Sequence, residues 1–411
     1  MSFPASAPAA SVPESSYAWV RLAAAVLLST VGGVGMWSVV VALPAVQLEF
    51  GVARAGASFP YTMTMLGFAA GGIFMGRMTD RFGIMPTIMA GTLSLGLGYI
   101  LSGYAGTLWE FALIQGVLIG ALGSSATFGP LLADTSRWFT RRRGIAVAIC
   151  ASGNYVAGTF WPPIVQHFIE TEGWRQTQIG IGIACIVLML PLALVLRRPP
   201  PSHASSQATA VFNAQGKAAQ ISTGTLQTLL IVAGISCCVA MSMPQVHIVA
   251  YCGDLGYGVA RGAEMLSLML GFGIVSRLAS GFIADRIGGV WTLLLGSTLQ
   301  GVALFLYLQF DGLTSLYVIS ALFGLFQGGI VPMYAIIVRE YFPASQAGTR
   351  VGLVLMSTLL GMALGGWMSG AIFDLTGSYR AAFANGMAWN LVNVAIIAWL
   401  ARGPRRRPAL A

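Results

Sequence analysis

Charge is what this chain has least of. Only 9% of its 411 residues are Asp, Glu, Lys or Arg, while 56% are hydrophobic. A soluble globular domain carries about 25% charged residues. So few charges cannot cover a water-facing surface, so a soluble fold is excluded and most of this surface faces lipid. Lysine is almost missing: Lys217 is the sole example. The thirteen acidic residues all fall in tails, loops or the ends of apolar runs, and none lies near the middle of a run. The five cysteines (Cys150, Cys185, Cys237, Cys238 and Cys252) sit in or at the end of apolar segments without metal-ligand spacing, so neither a disulfide framework nor a metal site is expected. Residues 1–19 contain no Lys or Arg, so they lack the basic region that opens a secretory signal. They read as a disordered cytoplasmic tail, and the first apolar run is retained as a span. No nucleotide loop, metal cluster or nucleophile–base pair appears at mechanistic spacing, which argues against an enzyme, and no cofactor is expected.

What is present is a series of apolar runs, each long enough to cross a hydrocarbon core about 30 Å thick. They cover 20–43, 57–78, 84–104, 110–133, 143–167, 176–197, 225–250, 261–284, 290–309, 314–338, 349–372 and 380–402. The expected fold is an all-α membrane protein of twelve transmembrane helices. The one long polar gap, 198–224, carries Pro199, Pro200, Pro201 and a Ser/Ala/Gln run. It reads as a cytoplasmic linker between six-helix bundles at 20–197 and 225–402. Residues 403–411 form a basic cytoplasmic tail in which Arg405, Arg406 and Arg407 fix topology or touch anionic lipid.

The net charge of +9 does not mark a nucleic-acid surface, because the bases cluster in short loops between the runs. With both termini in the cytoplasm, sixteen of the twenty-two Lys and Arg lie on that side and four on the other, while Arg21 and Arg277 lie inside spans. The positive-inside rule therefore predicts cytoplasmic termini in a multi-pass protein of the cell (inner) membrane.

The halves repeat. Gly76-Arg77-Met78-Thr79-Asp80-Arg81-Phe82-Gly83 follows the second span, and Gly281-Phe282-Ile283-Ala284-Asp285-Arg286-Ile287-Gly288 follows the eighth. Gly173-Trp174-Arg175 and Ser378-Tyr379-Arg380 stand at the same offset. Repeated halves are a signature of secondary transporters, whose substrate site lies at the repeat interface near mid-membrane. The doubled G-x-x-x-D-R-x-G loop resembles the signature loop of the major facilitator superfamily. That resemblance implies two pseudo-symmetric six-helix bundles and a gating role for Gly76, Asp80, Arg81, Gly83, Gly281, Asp285, Arg286 and Gly288. The physics agrees, since a carboxylate at a helix end can cap a neighbouring helix N-terminus. Asp80 is expected to face Gly348, Thr349 and Arg350, and Asp285 to face Arg143 and Gly144, latching the cytoplasmic side. The alternative is that these arginines serve topology alone.

Arg277 stands out among the bases. It lies eight residues before Asp285, about 12 Å into the membrane. A charge there costs roughly 2.5–3.5 kcal/mol on insertion scales, so it needs a cavity or a partner. Its fork matches a carboxylate; the other reading is a structural Arg bonded to backbone carbonyls. His247, beside Pro244 near the outer end of the seventh span, is a candidate for binding or proton coupling, or else a packing histidine. Asn154, Tyr155, Gln327, Tyr334 and Trp37 are further candidates for lining the cavity, each equally readable as packing.

Three segments narrow the resemblance. Arg137-Trp138-Phe139 with Arg141-Arg142-Arg143-Gly144-Ile145-Ala146 and Ser152-Gly153 resembles the loop leading into helix 5 of the monocarboxylate transporter family and its oxalate/formate antiporter relatives. Phe373-Asp374-Leu375-Thr376-Gly377-Ser378-Tyr379-Arg380 resembles their helix 11–12 turn, and Arg277 with Gly281 and Asp285 resembles their helix 8, whose Arg binds the substrate carboxylate. The resemblance implies a secondary transporter of a small organic monoanion, by proton symport or anion exchange; a monomer is expected. Two departures stand out. No span carries the helix 1 or helix 11 Lys of those relatives, and Gly273 occupies the position of the Asp one turn before the helix 8 Arg. The competing expectation is an exporter of a neutral or amphipathic compound, with Arg277 structural.

Overall fold

A computed structural model describes residues 14–200, 222–342 and 344–402, of which 344 and 345 are described in backbone only. The linker reading at 201–221 and the basic tail at 403–411 lie outside the described residues, as do residues 1–13.

The described residues fold into twelve rod-like helical segments without a strand. They are α1 (Ser16–Phe50), α2 (Arg54–Phe82), α3 (Ile84–Tyr104), α4 (Leu108–Trp138), α5 (Arg143–Glu172), α6 (Trp174–Arg197), α7 (Thr223–Asp254), α8 (Val259–Ile287), α9 (Gly289–Gln309), α10 (Leu313–Tyr341), α11 (Ala344–Thr376) and α12 (Tyr379–Arg402). Each coincides with an apolar run, and local chemistry sets the ends. Gly83 and Gly288, the last residues of the doubled motif, end α2 and α8 at φ 87° and 84°, a region that favours glycine. Thr107 and Glu110 form a reciprocal capping box at the start of α4.

The first helix begins earlier than the hydropathy suggests. Ser15 caps it, and Glu14 accepts from the backbone N–H groups of Thr140, Arg141 and Arg142 at 3.1, 2.6 and 2.9 Å. Those donations, Arg142's first, hold the Glu14 carboxyl below the usual carboxylate range, so this docking weakens as pH falls through that lowered value. Arg21 is buried inside the first helix and fully partnered: Asp134 takes its fork at 2.8 and 3.0 Å, and the Trp138 ring lies 4.7 Å away.

Among the described residues, ten helices are long and apolar enough to cross a membrane; α2 and α5 fall short. These two carry Arg77, Asp80 and Arg81, and Asn154, Gln166 and Glu170 respectively. Both pack against the other half of the chain, α2 on α11 and α5 on α8, so their faces are shared with protein and cavity rather than given wholly to lipid.

Packing repeats between the halves. α3 pairs with α6 as α9 does with α12; α2 with α4 as α8 with α10; α1 with α5 as α7 with α11. The α2–α4 and α8–α10 crossings are close enough to need glycine. A Cβ on Gly71 would stand 1.9 Å from the Ala121 carbonyl oxygen, and one on Gly328 would stand 2.3 Å from that of Gly273. This explains much of the abundant glycine. Three helices are interrupted where the apolar pattern is continuous: α1 turns at Gly33, α4 has a wide turn over Gln115–Ser124, and α10 turns at 328–329. By contrast α7 stays helical through Pro244.

Candidate functional site

The two halves meet along two seams, α2–α11 and α5–α8. At the end opposite the termini the first seam is closed by charge. The Asp374 carboxylate, near the end of α11, accepts from the backbone N–H groups of Arg54 and Ala55 at 2.8 Å each. These are the first residues of α2, so an anion sits on a helix N-terminus. The Arg54 guanidinium is buried, bonds both Asp254 oxygens at 2.9 and 3.0 Å, and lies 4.8 Å from the Phe373 ring centre. One basic residue of the first half thus holds two acidic residues of the second.

At the other end the seams are not latched. Asp80 is exposed and meets Arg137 of its own half at 3.3 Å, a pair worth under about 1 kcal/mol. Arg350 is taken by Gln346 and Gln227. Asp285 has no ion-pair or hydrogen-bond partner among the described residues. Nothing lies within 4 Å of where a Cβ would stand on Gly76, Gly281, Gly144 or Gly348. The contacts expected of Asp80 with Gly348, Thr349 and Arg350, and of Asp285 with Arg143 and Gly144, are therefore absent in this conformation. Arg81 stacks on its neighbour Phe82, and Arg286 is exposed. Gly83 and Gly288 do the local work of ending the helices.

Between the two ends, Arg277 of α8 reaches across to α5. Its guanidinium lies 4.3 Å from the centre of the Tyr155 ring and donates to the Ala151 carbonyl at 3.1 Å. A longer contact, 3.5 Å, runs from Nε to the Gly328 carbonyl. No carboxylate pairs with it among the described residues. The space beside it is filled by the same ring: a Cβ on Gly273 would stand 2.3 Å from Tyr155 Cε1. Gly273 and Tyr155 therefore belong together, and an acidic side chain at 273 would displace the ring.

The other candidates separate into groups. Gln327, the residue before Gly328, is fully buried, and neither amide atom has a partner among the described residues. An orphaned buried amide is costly, so it calls for a water or a ligand atom. Trp37 donates its indole N–H to the Asn154 carbonyl at 3.3 Å, and the Asn154 side chain faces the turn at Gly33, so these two tie α1 to α5. Tyr334 donates to Asn393 at 3.0 Å inside the second half.

His247 lies with the seal and is completely buried. Its Nε2 is 2.8 Å from the Gly366 carbonyl, which can only accept, so Nε2 carries the hydrogen. Nδ1 then accepts from the Tyr379 hydroxyl at 3.1 Å. Both ring nitrogens are satisfied by a neutral imidazole. His247→Gln is expected to lower stability by about 1–2 kcal/mol for the lost buried bonds while keeping the parental pH profile of uptake. A flattened profile between about pH 5 and 8 would instead assign proton coupling to the seal.

Sequence reasoning missed the seal. Arg54, Asp254 and Asp374 appeared only as loop charges, although Asp374 stands in the helix 11–12 segment that carried the resemblance. It also missed the Tyr155–Gly273 fit, for which the small residue one turn before Arg277 was the available signal.

The family described as Major Facilitator Superfamily matches residues 25–289 and 262–411. Monocarboxylate transporter 13 of Bos taurus is 29% identical over 78% of this chain and 74% of its own length. Monocarboxylate transporter 11 of Homo sapiens is 27% identical over 90% of this chain and 80% of its own. Among solved structures, a bacterial homolog of the human lysosomal transporter Spinster, in an inward-facing and occupied conformation, superimposes with a TM-score of 0.73 at 15% identity, covering 96% of this chain and 100% of that one. At that identity the likeness concerns the fold. These family and structural relatives are transporters.

Proposed function

The chain belongs to the Major Facilitator Superfamily, and from that premise we propose that it is a secondary transporter carrying a small organic monoanion, a monocarboxylate, by alternating access. The observation that carries this reading is the cross-seam contact of Arg277 with Tyr155. With its face on the ring and one Nη1 hydrogen given to Ala151, the guanidinium keeps the second Nη1 hydrogen and those of Nη2 for a two-pronged carboxylate contact. Gln327, with its unpartnered buried amide, is the second contact we assign. A single cation suits a monoanion better than a dianion. Two relatives are named monocarboxylate transporters, which supports this substrate class.

Orientation follows from the arginine bias: the termini are cytoplasmic in the cell membrane and the Arg54 seal is outermost. The conformation described above is then closed outward and unlatched inward. The reverse state would form the Asp80 and Asp285 latches and break the seal. α2 and α11 run antiparallel, and each carries an acidic residue near its C-terminal end, Asp80 at one membrane face and Asp374 at the other; Asp374 caps the start of α2, while Asp80 meets Arg137 and would cap the start of α11 in the reverse state. Only one of the two caps is formed at a time. The bundle boundaries at 20–197 and 225–402 and a monomeric unit complete the proposal.

Asp80→Asn or Asp285→Asn is expected to favour the inward-open form, since each leaves the seal intact and weakens its competitor. Thr62→Cys at the α2–α11 seam, labelled with a hydrophilic maleimide from the seal side, should react several-fold more slowly in either background. Unchanged labelling at normal expression would remove the latch from the scheme.

A second reading has one observation in its favour: Arg277 donates to the Ala151 carbonyl, as a structural arginine would, and the substrate would then be neutral or amphipathic and exported. Uptake into proteoliposomes separates the two. Labelled monocarboxylate should enter, dicarboxylate much less, and a neutral amphiphile not at all. Drive by a pH gradient identifies symport; drive by internal unlabelled anion identifies exchange. Entry of the neutral compound alone would replace this proposal with the second reading.

A further inference from the structure

The α5–α8 seam carries a groove of about 470 Å³ that nothing in the transport scheme uses. It opens to the outside of the protein: Phe272 and Val275 in its wall are 39% and 53% exposed, and Phe160 and Ile164 beside it on α5 are 60% and 44% exposed. All four face hydrocarbon in a membrane. Gly271 keeps the groove open, since only the Thr159 side chain lies within 4 Å of its missing Cβ. The floor is chemically quiet. Pro163 has no N–H for the Thr159 carbonyl four residues earlier, and the Ser267 hydroxyl of α8 donates to that oxygen instead.

One end of the groove is charged. Glu264, in its wall, accepts from Arg261 at 3.0 Å and from the Tyr317 hydroxyl. Arg261 and Glu264 are 53% and 43% exposed, in the first turns of α8, at the membrane face opposite the termini. From Glu264 to Val275 is eleven helical steps, about 16 Å at 1.5 Å each. That equals one leaflet of a core about 30 Å thick.

We propose that this groove binds one phospholipid with an ethanolamine headgroup from the leaflet opposite the termini, its acyl chain along α8, its phosphate at Arg261 and its ammonium at Glu264. The apolar walls at hydrocarbon depth select an acyl chain, and the groove length matches one leaflet. The neighbouring opposite charges match a headgroup whose own opposite charges are neighbours. Ethanolamine donates N–H bonds to a carboxylate, whereas the quaternary ammonium of choline has none to give, and an anionic glycerol headgroup brings no cation to Glu264. Because the walls come from both halves, the bound lipid bridges the seam on the lipid side of the Ser267–Thr159 bond.

Native mass spectrometry of the purified full chain, mixed with dioleoyl phosphatidylethanolamine, phosphatidylcholine or phosphatidylglycerol, tests this. The wild type should retain one phosphatidylethanolamine at about tenfold lower lipid concentration than either of the others. Gly271→Phe, which fills the groove, should reduce retention of all three. Glu264→Gln should erase the ethanolamine preference while leaving chain retention unchanged, and this mild change at a part-exposed residue keeps the test valid if Gly271→Phe fails to fold. Equal retention of the three lipids by the wild type, or a Glu264→Gln variant that still prefers ethanolamine, overturns the proposal.

Discussion

Arg277→Ala is expected to reduce monocarboxylate affinity and uptake by at least about 100-fold while leaving expression and helix content intact. The magnitude comes from two charge-assisted hydrogen bonds, each worth about 1.5–3 kcal/mol. The fold should survive because Arg277 is only half-buried and its protein partners are two backbone carbonyls and one ring. Arg277→Lys keeps the charge but loses the planar fork, so affinity should fall by about tenfold. A structural arginine behaves differently: its removal lowers the unfolding temperature and leaves the ratio of anion to neutral uptake unchanged. Uptake and thermal unfolding measured on the same preparations separate the two cases.

Breaking the seal is expected to have the second large effect. Arg54→Ala removes the Nη2 contact to both Asp254 oxygens and the contact over Phe373 at once. Asp254 is partly exposed, so we assign the loss about 2 kcal/mol, or about 30-fold in the equilibrium between closed and open seal. Asp374→Asn weakens an exposed helix cap, worth about 1 kcal/mol, or about fivefold. Labelling of Thr62→Cys from the seal side should accelerate in that order. The same reporter slows in the Asp80→Asn background, so the two ends of the α2–α11 pair give opposite signs. Acceleration in both backgrounds would mean general loosening instead of a switch.

The helices were legible because lipid imposes a long, simple signal: a run of apolar residues between charged loops. The doubled loop motif was legible for a similar reason, since repetition needs no partner to be visible. Pairings across the fold were not. Asp374 and Arg54 stand 320 residues apart, and only the antiparallel packing of α2 on α11 makes one the cap of the other. Gly273 shows the same limit. As a sequence position it is a missing acidic residue; in the fold it is the space that lets the Tyr155 ring lie beside Arg277. The turns at Gly33 and at 328–329 escaped the hydropathy pattern because their flanks are apolar on both sides. The expected inner latch is a further case: in the proposed scheme its contacts belong to the reverse conformation, and this structure shows the outer cap. Asp80 and Asp374 could be read as alternatives only once the formed cap had been seen.

The central claim is that a carboxylate is the group Arg277 recognises. The most direct measurement is ligand stabilisation of purified protein by a short monocarboxylate and by its primary amide, which matches it closely in shape but carries no charge. A ligand that binds only the folded state at a hundred times its Kd stabilises by about 2.7 kcal/mol. The account predicts a rise in unfolding temperature with the acid, none with the amide, and loss of the acid's effect in Arg277→Ala. Equal stabilisation by acid and amide, or an acid effect that survives Arg277→Ala, would contradict it.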